Sequence, residues 1–68
     1  MNTSELRAGR EPSKITWPDE SCIEAEPGVT MKVFDSGGMG MWVAVYYAIT
    51  DESVVVNPRY LAMIEFEG

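Results

Sequence analysis

Residues 29–50 read VTMKVFDSGGMGMWVAVYYAIT, and the reading of this stretch decides the fold. Val29, Met31 and Val33 alternate with Thr30, Lys32 and Phe34, the period of two that a β-strand imposes. After the glycines, Met41, Val43, Val45, Tyr47 and Ile49 fall on one face, and Trp42, Ala44, Tyr46 and Ala48 on the other. Both faces are apolar and rich in β-branched or aromatic residues, so the segment is expected to be a central strand. Between the two runs lie Gly37, Gly38 and Gly40, which either cradle a phosphate or turn the chain. A phosphate loop needs backbone N–H groups converging at a helix N-terminus, with a Lys or Arg to help. The spacing here matches neither G-x-G-x-x-G nor G-x-x-x-x-G-K-S/T, a strand follows it, and Asp35 brings the wrong charge to its entrance. Glycines between alternating apolar runs are what a hairpin needs where φ must be positive. The loop turns the chain. Met39 and Met41 near its tip could press into a partner's groove, but in so small a domain they are read as folding back over the sheet edge.

Working outward from the hairpin, "KITW" is a strand candidate that Pro18 ends, and "PDES" supplies turn chemistry through Asp19. "CIEAE" reads as a strand with Ile23 and Ala25 inward, or as a helix begun at Pro18 and ended by Pro27–Gly28. Two glutamates in its last turn would oppose the helix dipole, which favours the strand. "VVV" after the "TDES" turn is a further short strand. In "NPRYLAMIEFEG", Asn57 and Pro58 could open a helix, yet Ile64 and Phe66 alternate with Glu65 and Glu67. A tight turn over residues 57–61 followed by a last strand from about Ala62 is preferred. The expectation is a mainly β fold, with a small α+β fold as the variant if residues 18–26 or 57–67 are helical. It takes the form of a single antiparallel sheet of four to five strands spanning residues 13–68. Residues 1–12 form a loosely held arm, flexible or with one helical turn capped by Ser4.

A chain of 68 residues makes one domain and buries only about 60% of the surface its unfolded form exposes. No apolar stretch is long enough to span a bilayer and no leader is evident, so a soluble, cytoplasmic protein is expected. Cys22 is the only cysteine and there is no histidine. An internal disulfide, a Cys/His metal site and an activated thiol are therefore not expected, and Cys22 reads as a small packing residue. No nucleophile–base set or calcium-loop spacing is present, so neither catalysis nor a cofactor or metal is expected.

The charge is uneven. Residues 1–18 carry Arg7, Arg10 and Lys14 against Glu5 and Glu11, whereas residues 19–68 carry nine carboxylates against Lys32 and Arg59. Such a field repels nucleic acid and anionic membranes and attracts basic surfaces. As strands, Glu24 and Glu26 lie about 7 Å apart on one face, and Glu65 and Glu67 repeat that spacing. Asp19, Glu20, Asp35, Asp51 and Glu52 decorate turns. Rows of fixed negative charge on a rigid sheet have the outline of a nucleic-acid backbone, and these nine residues are the candidate partner-binding set. The same charges also serve solubility and blunt strand edges.

In its length, its acidity and its lack of a catalytic set, metal site or basic patch, the chain resembles the small acidic inhibitors encoded by phages, in particular anti-CRISPR proteins. The resemblance rests on that profile and on no motif. It implies occlusion: a DNA mimic in a bacterial host cell, covering the Lys/Arg-rich groove where a CRISPR effector subunit reads its target, with Trp17 or Trp42 as contact anchors. Both tryptophans equally read as core residues, and for Trp42, on the central strand, the core is the preferred reading. Two alternatives stand beside occlusion. One is an adaptor that adds a strand edge to a partner's sheet. The other is a homo-oligomer packed through Phe34, Trp42 and Tyr46, which would cover the second apolar face of the central strand.

Overall fold

The structure is a computed structural model and describes residues 6–38 and 40–67. Its strands are β1 (Pro12–Thr16), β2 (Cys22–Glu24), β3 (Val29–Asp35), β4 (Met41–Tyr47), β5 (Glu52–Val56) and β6 (Met63–Phe66), with a short 3-10 turn at Pro58–Tyr60 before β6. β3 and β4 form the hairpin that their alternation predicts, in unbroken antiparallel register from Val29 opposite Tyr47 to Asp35 opposite Met41. Met31 thus faces Val45 and Val33 faces Val43, and all four side chains are buried.

The glycine loop closes on itself. The Ser36 N–H and hydroxyl both donate to the Gly40 carbonyl, at 3.0 and 2.7 Å. The Asp35 carboxylate accepts from the Gly37 N–H at 2.9 Å. Gly37 and Gly40 hold φ of 79° and 85°, where side chains are strained. Met41 packs against the core, and Met39 lies outside the described residues. β4 is central, as expected, with β5 on its other side. Ile49 does not continue its inward face: β4 stops at Tyr47, the chain turns, and Ile49 is 95% exposed.

The remaining strands make a second sheet, in the order β2-β1-β6. Ile15 is its centre, opposite Ile23 on one side and Ile64 on the other. The β1–β6 register shifts between Pro12 and Lys14, so Ser13 is the extra residue of a bulge. That bulge lets Pro12 and Ile15 both point inward, and both are fully buried. The Ser13 carbonyl accepts from the Ala25 N–H at 2.8 Å, and its hydroxyl donates to the Glu65 carbonyl at 3.1 Å. β2 ends at Glu24, so Ala25 is exposed rather than inward. Cys22, opposite Thr16, is exposed too and does not pack. The 3-10 turn is capped by Asn57, whose side chain accepts from the Arg59 N–H at 3.1 Å.

The protein is mainly β, but the described residues form six antiparallel strands in two sheets of three. Alternation tells which side of a strand is apolar; it does not say which strands pair. Here the strands nearest the two ends of the chain pair with each other and lie over the hairpin sheet. Ile15, Met31, Val33, Val43, Val45, Val56 and Leu61 form the core between them. The described part of the arm joins the fold as well. The Gly9 N–H donates to the Val33 carbonyl and the Val33 N–H to the Arg10 carbonyl, both at 2.8 Å, which ties the start of β1 to the edge of β3. The Arg10 guanidinium lies 4.3 Å from the centre of the Phe66 ring, a cation–π contact. The helical turn expected from Ser4 through Arg7 begins on residues outside those described; its last two residues, Leu6 and Arg7, are not helical, and the Arg7 carbonyl instead accepts from the Arg10 N–H at 3.1 Å in a turn.

Candidate protein-interaction groove

The nine candidate carboxylates fall into separate groups. Glu24 and Glu65 stand on either side of Lys14 on the outer face of the β2-β1-β6 sheet, and Lys14 bonds Glu24 at 3.5 Å. This row reads minus, plus, minus, so it is not a run of uniform charge. Glu26 and Glu67 lie just past the ends of β2 and β6. Together with Glu11 they border an open cleft of about 480 Å³ between the sheets. Asp35 and the Asp51–Glu52 pair occupy opposite ends of the hairpin sheet, roughly 20 Å apart along β4. Asp35 is engaged in its own loop, and Asp51 accepts from the Tyr46 hydroxyl at 2.8 Å. That bond pushes the Tyr46 hydroxyl above its ordinary pKa.

Asp19 and Glu20 differ from the others in their company. They sit in the turn that β1 makes through Trp17, closed by hydrogen bonds from the Trp17 N–H to the Ser21 carbonyl and from the Glu20 N–H to the Trp17 carbonyl. The Asp19 carboxylate accepts from the Ser21 hydroxyl at 2.6 Å and from the Ser21 N–H at 3.0 Å. These bonds hold it below the usual carboxylate range, so it stays charged at physiological pH.

Trp17 forms one wall of a groove of about 580 Å³ whose other walls are Trp42, Val55, Val56, Asn57 and Tyr60. Each wall has a local cause. Trp42 is the outward residue next to buried Val43 on β4, directly opposite Phe34. Val55 is outward on β5, opposite Ala44. Tyr60 ends the 3-10 turn that Asn57 caps, and is 65% exposed. The Trp42 indole nitrogen is buried without a hydrogen-bond partner among the described residues. An orphaned donor of this kind costs free energy until an acceptor reaches it.

The sequence leaves both tryptophans as anchors or as core residues, with the core preferred for Trp42, and the structure puts the two together in one groove wall set. It gives no sign of Tyr60 or Val55, because a tyrosine in a turn and a valine in a strand reveal their neighbours only once the chain is folded. No ionisable side chain among the described residues is buried. The arrangement is suited to binding. No known protein family, curated protein or solved structure matches this chain.

Proposed function

We propose that the protein is a non-catalytic binding module that seats an acidic, aromatic-lined face on a Lys/Arg-rich surface of another protein and thereby occludes it. The observation that carries this reading is the groove itself: Trp17, Trp42 and Tyr60 come from three different elements to one solvent-facing hollow, and the turn bearing Trp17 also bears Asp19 and Glu20. Aromatic anchors with a charged border are the usual anatomy of a contact centre. Where the partner's basic surface is a nucleic-acid groove, seating excludes DNA or RNA. A CRISPR effector complex is the instance to which the resemblance in length and charge points. The contact is proposed to centre on the groove rather than on rows of carboxylates, since Lys14 interrupts the row of Glu24 and Glu65 across the β2-β1-β6 sheet.

Affinity capture from a lysate of a CRISPR-bearing bacterium, at low and high salt, tests this. A nucleic-acid-binding protein should be retained at low salt and released at high salt. Charge reversal at Asp19 and Glu20 should abolish retention, while reversal at Glu24 and Glu65 should leave most of it. Retention that ignores both salt and Asp19–Glu20 reversal would favour a different reading. Among the described residues β5 pairs only with β4, and its residues from Glu52 to Val55 are exposed. This free edge is where an adaptor would add a partner's strand.

A further inference from the structure

Beyond the groove, we propose that the free edge of β5 pairs antiparallel with β5 of a second copy of this chain, joining two hairpin sheets into one across a two-fold axis. The other described edges are guarded. Gly9 and Arg10 bond along the edge of β3 at Val33, and β2 and β6 are three and four residues long. β5 has no such device. Glu52–Val56 contains no Pro, Gly or Lys, and it pairs with β4 in unbroken register from Glu52 opposite Tyr47 to Val56 opposite Val43. Its side chains are short of cover on both faces. Val54 lies on the inner face opposite fully buried Val45, yet is 48% exposed; Val55 lies on the outer face and is 51% exposed. A strand laid beside β5 covers both and gives partners to the backbone N–H and C=O groups that point away from β4.

The charges at the two ends of this edge select the occupant. Asp51 and Glu52 stand at its start and Arg59 just beyond its end, all three exposed. Neither Glu52 nor Arg59 has an ion-pair partner among the described residues. Antiparallel pairing of β5 with itself, centred on Val54 or Val55, brings the Arg59 end of each copy to the Asp51–Glu52 end of the other. The two-fold axis repeats that attraction on both sides of the contact. Parallel pairing would set like charge against like. Asp35, a carboxylate at the Arg59 end, lies two strands away, about 10 Å from the edge, and is engaged in its own loop. Repulsion between two chains of −6 opposes the contact. The molecule is 24 Å across its narrowest axis, however, and the screening length at physiological ionic strength is about 8 Å. The charges beside the edge therefore decide the sign.

Sedimentation equilibrium of the full chain at physiological ionic strength, from about 5 μM to about 1 mM, tests this. The mass should rise from one chain to two and stop there, because a two-fold contact closes on itself. Glu52→Lys and Arg59→Glu, each alone, should weaken the dimer about tenfold, since each turns two attractive contacts repulsive. An equimolar mixture of the two variants should recover the wild-type affinity, because each new charge then faces the opposite sign on the other chain. Val54→Lys, which puts a charge at the centre of the contact, should abolish the dimer. Circular dichroism of dilute samples confirms that each variant is folded, and the mixture stays decisive if Val54→Lys does not fold. A single-chain mass throughout the range would overturn the proposal and leave the edge to a strand of another protein. Dimerisation that neither charge reversal weakens, or that the mixture does not restore, would place the contact on another face, such as that of Phe34, Trp42 and Tyr46, and overturn it as well. A mass that grows past two chains would do the same. Capture of a basic partner through Asp19 and Glu20 is independent of each of these outcomes.

Discussion

Gly37 and Gly40 are the residues at which the hairpin's geometry is paid for in backbone conformation. Both hold positive φ, whereas Gly38 between them does not, and an added methyl at any of the three would meet open space. Steric room therefore cannot separate them, and backbone strain alone can. Gly40→Ala should cost about 1–2 kcal/mol in urea unfolding, and Gly38→Ala should stay within about 0.5 kcal/mol of the wild type. Equal effects at the two positions would mean that the loop is not held in this turn. At Tyr46 the controlling feature is a hydrogen bond. Its hydroxyl donates to Asp51, and the folded pKa lies above the ordinary value near 10. A raised folded pKa means that the native state keeps the proton longer. The contribution is therefore complete below pH 10 or so and is lost as pH rises through the folded value. Tyr46→Phe should accordingly narrow its stability difference from wild type between neutral pH and strongly alkaline pH, read as urea midpoints in parallel.

Among the elements, the 3-10 turn links fold to site. Asn57 caps it, Pro58 and Leu61 bury themselves beneath it, and Tyr60 projects into the groove. Asn57→Ala should cost about 1 kcal/mol by urea unfolding, with the loss traceable to the bond from the Arg59 N–H. The same variant should weaken retention of a captured partner protein more than Gly40→Ala does, because only the former disturbs a groove wall. The elements themselves were legible in the sequence to a large degree. Val29–Asp35 alternates and is a strand over the same span; Ile64 and Phe66 alternate with Glu65 and Glu67, and Met63–Phe66 is a strand. Ile49 and Ala25 were misplaced for one shared reason. Each continues an apolar alternation past the residue where the strand ends, and periodicity has no marker for that end.

For the whole molecule, the net charge of −6 spreads over a small surface with Lys14–Glu24 as the one ion pair among the described residues. Repulsion among the remaining carboxylates opposes folding. Raising the ionic strength to about 0.5 M, where exposed charges are largely screened, should therefore raise the urea midpoint. A fall would mean that attractive pairs outweigh repulsion and would weaken the electrostatic part of the proposed function. The alternations of Val29–Phe34 and Met41–Tyr47 and the glycines between them determined by themselves that this chain is β-rich and hairpin-centred. Those are local properties, set by the period of side chains along one strand and by the φ a turn requires. The tertiary structure alone decided that β1 lies between β2 and β6 and over the hairpin, that Lys14 stands between Glu24 and Glu65, and that Trp17, Trp42 and Tyr60 share a groove. Pairing between distant segments depends on how all the apolar faces are buried at once, and no single stretch of the chain carries that information.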